Sequence, residues 1–104
     1  MKILIIDDHV LIRQAMQGVV KKIKRNAVVL DATNSAQAIQ LVESHPDLDL
    51  ILLDLTLPDR DGFALLADLR ERLPHAAIVV LSGVQEPDYV LKALDLGALG
   101  YIPK

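Results

Sequence analysis

A chain of 104 residues with 52% hydrophobic and 24% charged side chains has room for one globular domain. A net charge of −3, no cysteine and only two tyrosines and one phenylalanine exclude a disulfide framework and a thiolate metal site. They also argue against a basic duplex-binding surface or a base-stacking platform. No apolar run approaches a membrane span, and Met1-Lys2-Ile3 leads into a strand-like run unlike a secretion signal, so a cytoplasmic protein is expected.

Ile3 to Ile6 is apolar on both faces and ends at Asp7-Asp8. That suits a strand buried on both sides, although a short buried helix fits the same pattern. From Val10 onward, Ile12, Ala15, Met16, Val19, Val20 and Ile23 recur at helical spacing and predict one apolar face. Lys21, Lys22, Lys24 and Arg25 crowd the end of that helix, where cations complement its dipole. Val28 to Leu30 reads as the second strand, leading to Asp31, and Asn34 or Ser35 can cap a helix bearing Ala38, Ile39, Leu41 and Val42. His45-Pro46 closes it, because proline disfavours helical backbone in the residue before it.

Leu48 to Leu53 is the third predicted strand, stopping at Asp54, and Leu57 to Gly62 is a turn-rich loop. A helix with Phe63, Leu65, Leu66 and Leu69 halts before Pro74. Ile78 to Leu81 forms a fourth strand ending at Ser82-Gly83; Tyr89, Val90, Ala93 and Leu94 mark a helix closed by Gly97. Leu99 to Ile102 is a short fifth strand before Lys104. Strands alternating with helices imply a doubly wound α/β domain, its five-stranded parallel sheet covered by helices on both faces.

In such sheets the ligand site lies beyond the carboxyl ends of the strands. Those ends carry Asp7 and Asp8, Asp54, Ser82 and Lys104. Two carboxylates about 5 Å apart repel by roughly 3 kcal/mol at an effective dielectric near 20, so the cluster asks for a cation. With oxygen ligands and no cysteine, the fitting ion is Mg²⁺, with Mn²⁺ as a possible substitute. A carboxylate-held dication beside a lysine prepares a site for a phosphoryl group.

Asp7-Asp8, Asp54 followed by Leu55-Thr56-Leu57-Pro58 and Asp61-Gly62, Ser82, and Tyr101 three residues before Lys104 resemble a response-regulator receiver domain of two-component systems, over the whole of residues 1–104. Asp8-His9-Val10-Leu11-Ile12-Arg13 and the closing Gly97 to Lys104 further resemble regulators bearing a LuxR-type helix-turn-helix output domain. The resemblance implies a flavodoxin-like strand order, 2-1-3-4-5. It implies Asp54 as phosphoacceptor from a sensor histidine kinase. Asp8 and Asp54 would bind Mg²⁺ directly, Asp7 directly or through water, and the Thr56 backbone carbonyl would add an oxygen. Lys104 and Ser82 would hold the phosphoryl oxygens, and Tyr101 would turn inward once Ser82 has moved. DNA would be reached only through an output domain.

Other residues receive plainer readings. His9 is expected as a partly exposed helix-start residue rather than a ligand, His45 and His75 as solvated loop residues, Phe63 as core, and Gly62 as a backbone requirement of its loop. The resemblance also implies a fifth helix after Lys104, so a receiver truncated there is expected to leave apolar side chains such as Leu50, Leu52, Ile78, Val80 or their alternates open and to self-associate. The chain is read as a switch, not an enzyme with a product. Two alternatives are weighed. A haloacid-dehalogenase-like phosphohydrolase usually carries a second acid two residues beyond its nucleophile, where this chain has Thr56. A non-phosphorylated pseudo-receiver would not need every acid and the lysine in place.

Overall fold

The branched aliphatic runs do form the centre of a sheet. The computed structural model describes residues 1–84 and 86–104. Its elements are β1 (Lys2–Ile6), α1 (Val10–Ile23), β2 (Val28–Ala32), α2 (Ser35–Ser44), β3 (Leu50–Asp54), α3 (Gly62–Arg72), β4 (Ala77–Ser82), α4 (Pro87–Asp95) and β5 (Gly100–Pro103). All strand pairs are parallel, in the order β2-β1-β3-β4-β5. The fold is doubly wound α/β, with the strand order the resemblance implied.

Alternation along the strands divides the core into two layers. Leu4, Ile6, Ile51, Leu53, Ile78 and Val80 pack beneath α2, α3 and α4 with Ala38, Val42, Leu65, Leu66, Leu69 and Ala93. Ile3, Ile5, Leu52 and Leu81 face the other way, toward Val20 of α1. Each leucine, isoleucine or valine buried this completely contributes about 1.5–3 kcal/mol from removal of its apolar surface from water.

The strand limits differ from the sequence expectation for identifiable reasons. β2 runs on to Ala32, because Asp31 and Ala32 pair with Ile5 and Ile6. Leu48 is fully buried but lies outside β3, its amide turned back to the His45 carbonyl at 3.2 Å. β3 instead includes Asp54, which pairs with Leu81. Leu99 is exposed, and β5 begins one residue later at Gly100.

The expected apolar face of α1 is only partly covered. Val20 is buried, while Val19 is 52% and Ile23 74% exposed. The sheet flank expected to lie open holds only one of the two alternate sets of side chains. The register sets Leu52 beside Val79, so Ile78 and Val80 lie on the opposite face and are fully buried. On the α1 side Val29, Leu50 and Val79 are half-buried and Ile102 is exposed. His45 is also half-buried rather than solvated, with Nδ1 3.0 Å from Lys2 Nζ.

Two devices hold the loop at the carboxyl end of β3. Asn34 caps α2 by accepting from the Gln37 amide at 2.9 Å. Asp59, from the loop after β3, accepts from the Ser35 amide at 2.9 Å and its hydroxyl at 2.7 Å. Gly62 then starts α3 against the backbone of Leu55: a Cβ there would lie 2.2 Å from the Leu55 carbonyl oxygen. The glycine is required by close approach, not by an unusual backbone angle.

Candidate functional site

The parallel sheet carries three strand ends to one rim. Asp54 closes β3 and Asp7 follows β1, both with no solvent-exposed side-chain surface; Asp8 keeps 37% of its side chain exposed. Lys104 follows β5, and its amide donates to the Ser82 carbonyl at 2.8 Å, so β4 positions the lysine backbone. Its Nζ lies 2.9 Å from Asp7 Oδ2 and 2.9 Å from Asp54 Oδ2.

The two oxygens of Asp54 have different surroundings. Oδ1 accepts from the Thr56 amide at 3.0 Å and the Thr56 hydroxyl at 2.9 Å. Oδ2 faces Lys104 and the acid pair. The carboxylate is thereby clamped on one side and left to the cationic side on the other.

Asp7 accepts from the His9 amide through Oδ1 at 2.9 Å, and Arg13 donates to the Asp7 carbonyl at 2.8 Å. Burial on its own would raise the Asp7 pKa, but hydrogen bonds from Lys104 and His9 hold it below the ordinary carboxylate value. Burial works to lower the Lys104 pKa, and the bonds to Asp54 and Asp7 overcome it and raise it.

His9 is where the structure goes beyond the sequence reading. It is exposed at the start of α1, as expected, yet its Nδ1 stands 2.8 Å from Asp7 Oδ1, 3.3 Å from Asp8 Oδ1 and 3.7 Å from Asp54 Oδ2. Its place directly after the acid pair was the only signal available in the sequence.

Ser82 and Tyr101 form a second group, joined through Val84. Ser82 is buried at the end of β4, and its Oγ accepts from the Val84 amide at 3.1 Å. The Tyr101 hydroxyl donates to the Val84 carbonyl at 2.5 Å. Ser82 also lines a cavity of about 450 Å³ with Leu55, Thr56, Phe63 and Val84. Phe63 is core, as expected, with Tyr89 at 5.3 Å between ring centroids and Lys92 Nζ 4.6 Å from its ring centre.

The donor set fits a hard divalent cation. Asp7, Asp8, His9 and Asp54 each offer an atom, and these four lie within 4.8 Å of one another. Three carboxylates against one ammonium leave the cluster negative. Asp7 Oδ2 is buried, with Lys104 Nζ at 2.9 Å as its neighbour and no further partner among the described residues.

Residues 3–104 match the family model described as response regulator receiver domain. The chain belongs to that family. The receiver is 41% identical over 102 residues to the nitrate/nitrite response regulator protein NarL of Escherichia coli, covering 98% of this chain and 47% of that protein. A solved two-component response regulator from Clostridium difficile superposes with a TM-score of 0.91 at 31% identity, covering 99% of the receiver and 82% of that chain. A LuxR-family two-component response regulator from Aurantimonas sp. SI85-9A1 gives a TM-score of 0.81 at 31% identity, covering 99% and 73%. The receiver spans about half the length of the curated relatives it matches. Among the described residues, no helix is long and apolar enough to cross a membrane.

Proposed function

We propose that this receiver takes a phosphoryl group from the phosphohistidine of a sensor histidine kinase onto Asp54. The observation that carries the reading is the state of Asp54: fully buried, held at Oδ1 by Thr56 and facing Lys104 at Oδ2. An oxygen of Asp54 attacks phosphorus, a P–O bond forms, the P–N bond to the kinase imidazole breaks, and the nitrogen keeps the electron pair. Lys104 neutralises the phosphoryl oxygens as a point charge, and Ser82 offers its hydroxyl to one of them.

Asp7, Asp8 and Asp54 would hold Mg²⁺, or Mn²⁺, with the Thr56 backbone carbonyl as a further oxygen. The ion would supply charge neutralisation for the incoming phosphoryl group. Asp54 and Asp8 would bind it directly, and Asp7 directly or through water.

The product is a changed surface. Once Ser82 engages the phosphoryl group, its bond with the Val84 amide is given up, and Tyr101, bound to the same residue, shifts inward. Likeness to NarL and to a LuxR-family regulator supports a DNA-binding output domain controlling transcription, outside residues 1–104.

Incubation with acetyl phosphate and Mg²⁺, followed by intact-mass measurement, tests the reading. One phosphoryl group labile to hydroxylamine should appear on the parent and be absent from Asp54→Asn. Full labelling of that variant would sink the assignment.

A further inference from the structure

We propose that His9 supplies a nitrogen ligand to the cation site, giving imidazole-preferring ions such as Ni²⁺ and Co²⁺ an advantage that an all-oxygen site lacks. The inference rests on the proposed cation role of the Asp7, Asp8 and Asp54 cluster and adds a ligand to it.

Three observations carry it. The first is spacing. An ion with bonds near 2.1 Å sets adjacent ligand atoms roughly 3.0–3.4 Å apart, whether octahedral or tetrahedral. His9 Nδ1 stands at 2.8, 3.3 and 3.7 Å from one oxygen of each of three carboxylates, which brackets that range. The second is that, among the described residues, the ring's only hydrogen-bond partners are members of the cluster itself, Asp7 Oδ1 at 2.8 Å and Lys104 Nζ at 3.3 Å. His9 occupies the N-cap position of α1, yet its side chain caps no amide of the helix. It is also 57% exposed, so no core packing fixes it, and it can adjust to an ion without unfolding anything. The third is demand: Asp7, Asp8 and Asp54 bring three carboxylates together, and Lys104, 2.9 Å from Asp7 and from Asp54, is the sole ammonium facing them among the described residues.

Mg²⁺ strongly prefers oxygen, so the imidazole adds little for it; for later first-row ions a neutral imidazole is a preferred ligand. His9 should therefore act on which metal is held more than on whether one is held.

The test uses the unphosphorylated chain and the metals alone. Calorimetric titration with Ni²⁺ should show affinity falling by about tenfold or more in His9→Gln, with Mg²⁺ affinity changed by less than about threefold. Excess Mg²⁺ should displace the Ni²⁺, which separates this site from any at His45 or His75. Pulsed electron paramagnetic resonance on the Mn²⁺-loaded chain should show a directly bound nitrogen that shifts with ¹⁵N-histidine labelling and vanishes in His9→Gln. Mg²⁺ binding without that nitrogen signal, or a signal persisting in His9→Gln, would overturn the ligation and leave the phosphoacceptor reading standing. Failure of Mg²⁺ itself to bind would overturn both.

Discussion

Lys104 and Asp54 are separated by 50 positions in sequence and meet at 2.9 Å, with the amine equally close to Asp7. One ammonium thus serves two fully buried carboxylates. Its loss leaves both without a counter-charge, and breaking a buried pair this way costs about 3–5 kcal/mol. Lys104 retains some water contact, so about 2–3 kcal/mol is expected for Lys104→Met in thermal or urea unfolding without metal. Mg²⁺ should recover more stability in the variant than in the parent, because it replaces the missing charge. A variant as stable as the parent without metal would show that the pair contributes little.

The same pair sets a pH dependence. The Asp7 pKa lies below its ordinary value of 3.8, so its contribution is complete above that value and is lost as pH falls through the lowered pKa. The Lys104 pKa lies above 10.5, so its contribution is complete below that and is lost as pH rises through the raised pKa. The difference in unfolding free energy between parent and Lys104→Met should therefore be flat across neutral pH and shrink at both extremes. A difference independent of pH down to about 2 would exclude Asp7 as the partner.

Gly62 offers a test of the loop that carries Thr56. A methyl group at this position meets the Leu55 backbone, which has no flexible end to give way. Gly62→Ala should destabilise by about 1–3 kcal/mol or more, as overpacking does. Because Leu55 links Asp54 to Thr56, phosphorylation by acetyl phosphate should slow as well. Unfolding at the parent midpoint would remove the close-approach account.

Tyr101→Phe keeps the ring and removes only the bond to the Val84 carbonyl. Phosphoryl uptake should be nearly unchanged. One hydrogen bond is worth about 0.5–1.5 kcal/mol, so the balance between the two surface states should move by about two- to thirteenfold. Amide chemical-shift changes at Val84 upon phosphorylation would report it, with Ser82→Ala as the stronger perturbation. An identical response in parent and both variants would remove these residues from the coupling.

The parallel α/β class and the site were legible for related reasons, while the strand order came only with the resemblance. Apolar runs such as Ile3 to Ile6 suit strands buried on both faces, their alternation with helical segments settles them as strands, and parallel strands carry their following residues to one rim. That places Asp7, Asp54, Ser82 and Lys104 together without any side-chain detail. What stayed hidden depended on contacts between distant segments. Nothing local says that Asp31 and Ala32 extend β2, since their partners are Ile5 and Ile6. Nothing local sets Leu52 beside Val79 rather than Val80. His9 was obscured for another reason: an exposed polar residue at a helix start is ordinary, and only the fold turns its ring over three carboxylates.

Asp8 separates the demand for a metal from the demand for stability. It is the most exposed of the three acids, and its charge adds repulsion to two buried carboxylates that share one lysine. Asp8→Ala should thus leave the metal-free chain at least as stable as the parent, since it removes a like charge and only a 3.3 Å contact with His9. The parent should gain about 2.7 kcal/mol at a Mg²⁺ concentration one hundred times its dissociation constant, by mass action alone. At the same concentration Asp8→Ala should gain far less, and its labelling by acetyl phosphate should fall in parallel. Unfolding curves with and without Mg²⁺ measure both effects in one experiment. A variant that loses stability without metal yet keeps the full Mg²⁺ gain would place Asp8 in the folding energetics and outside the cation site.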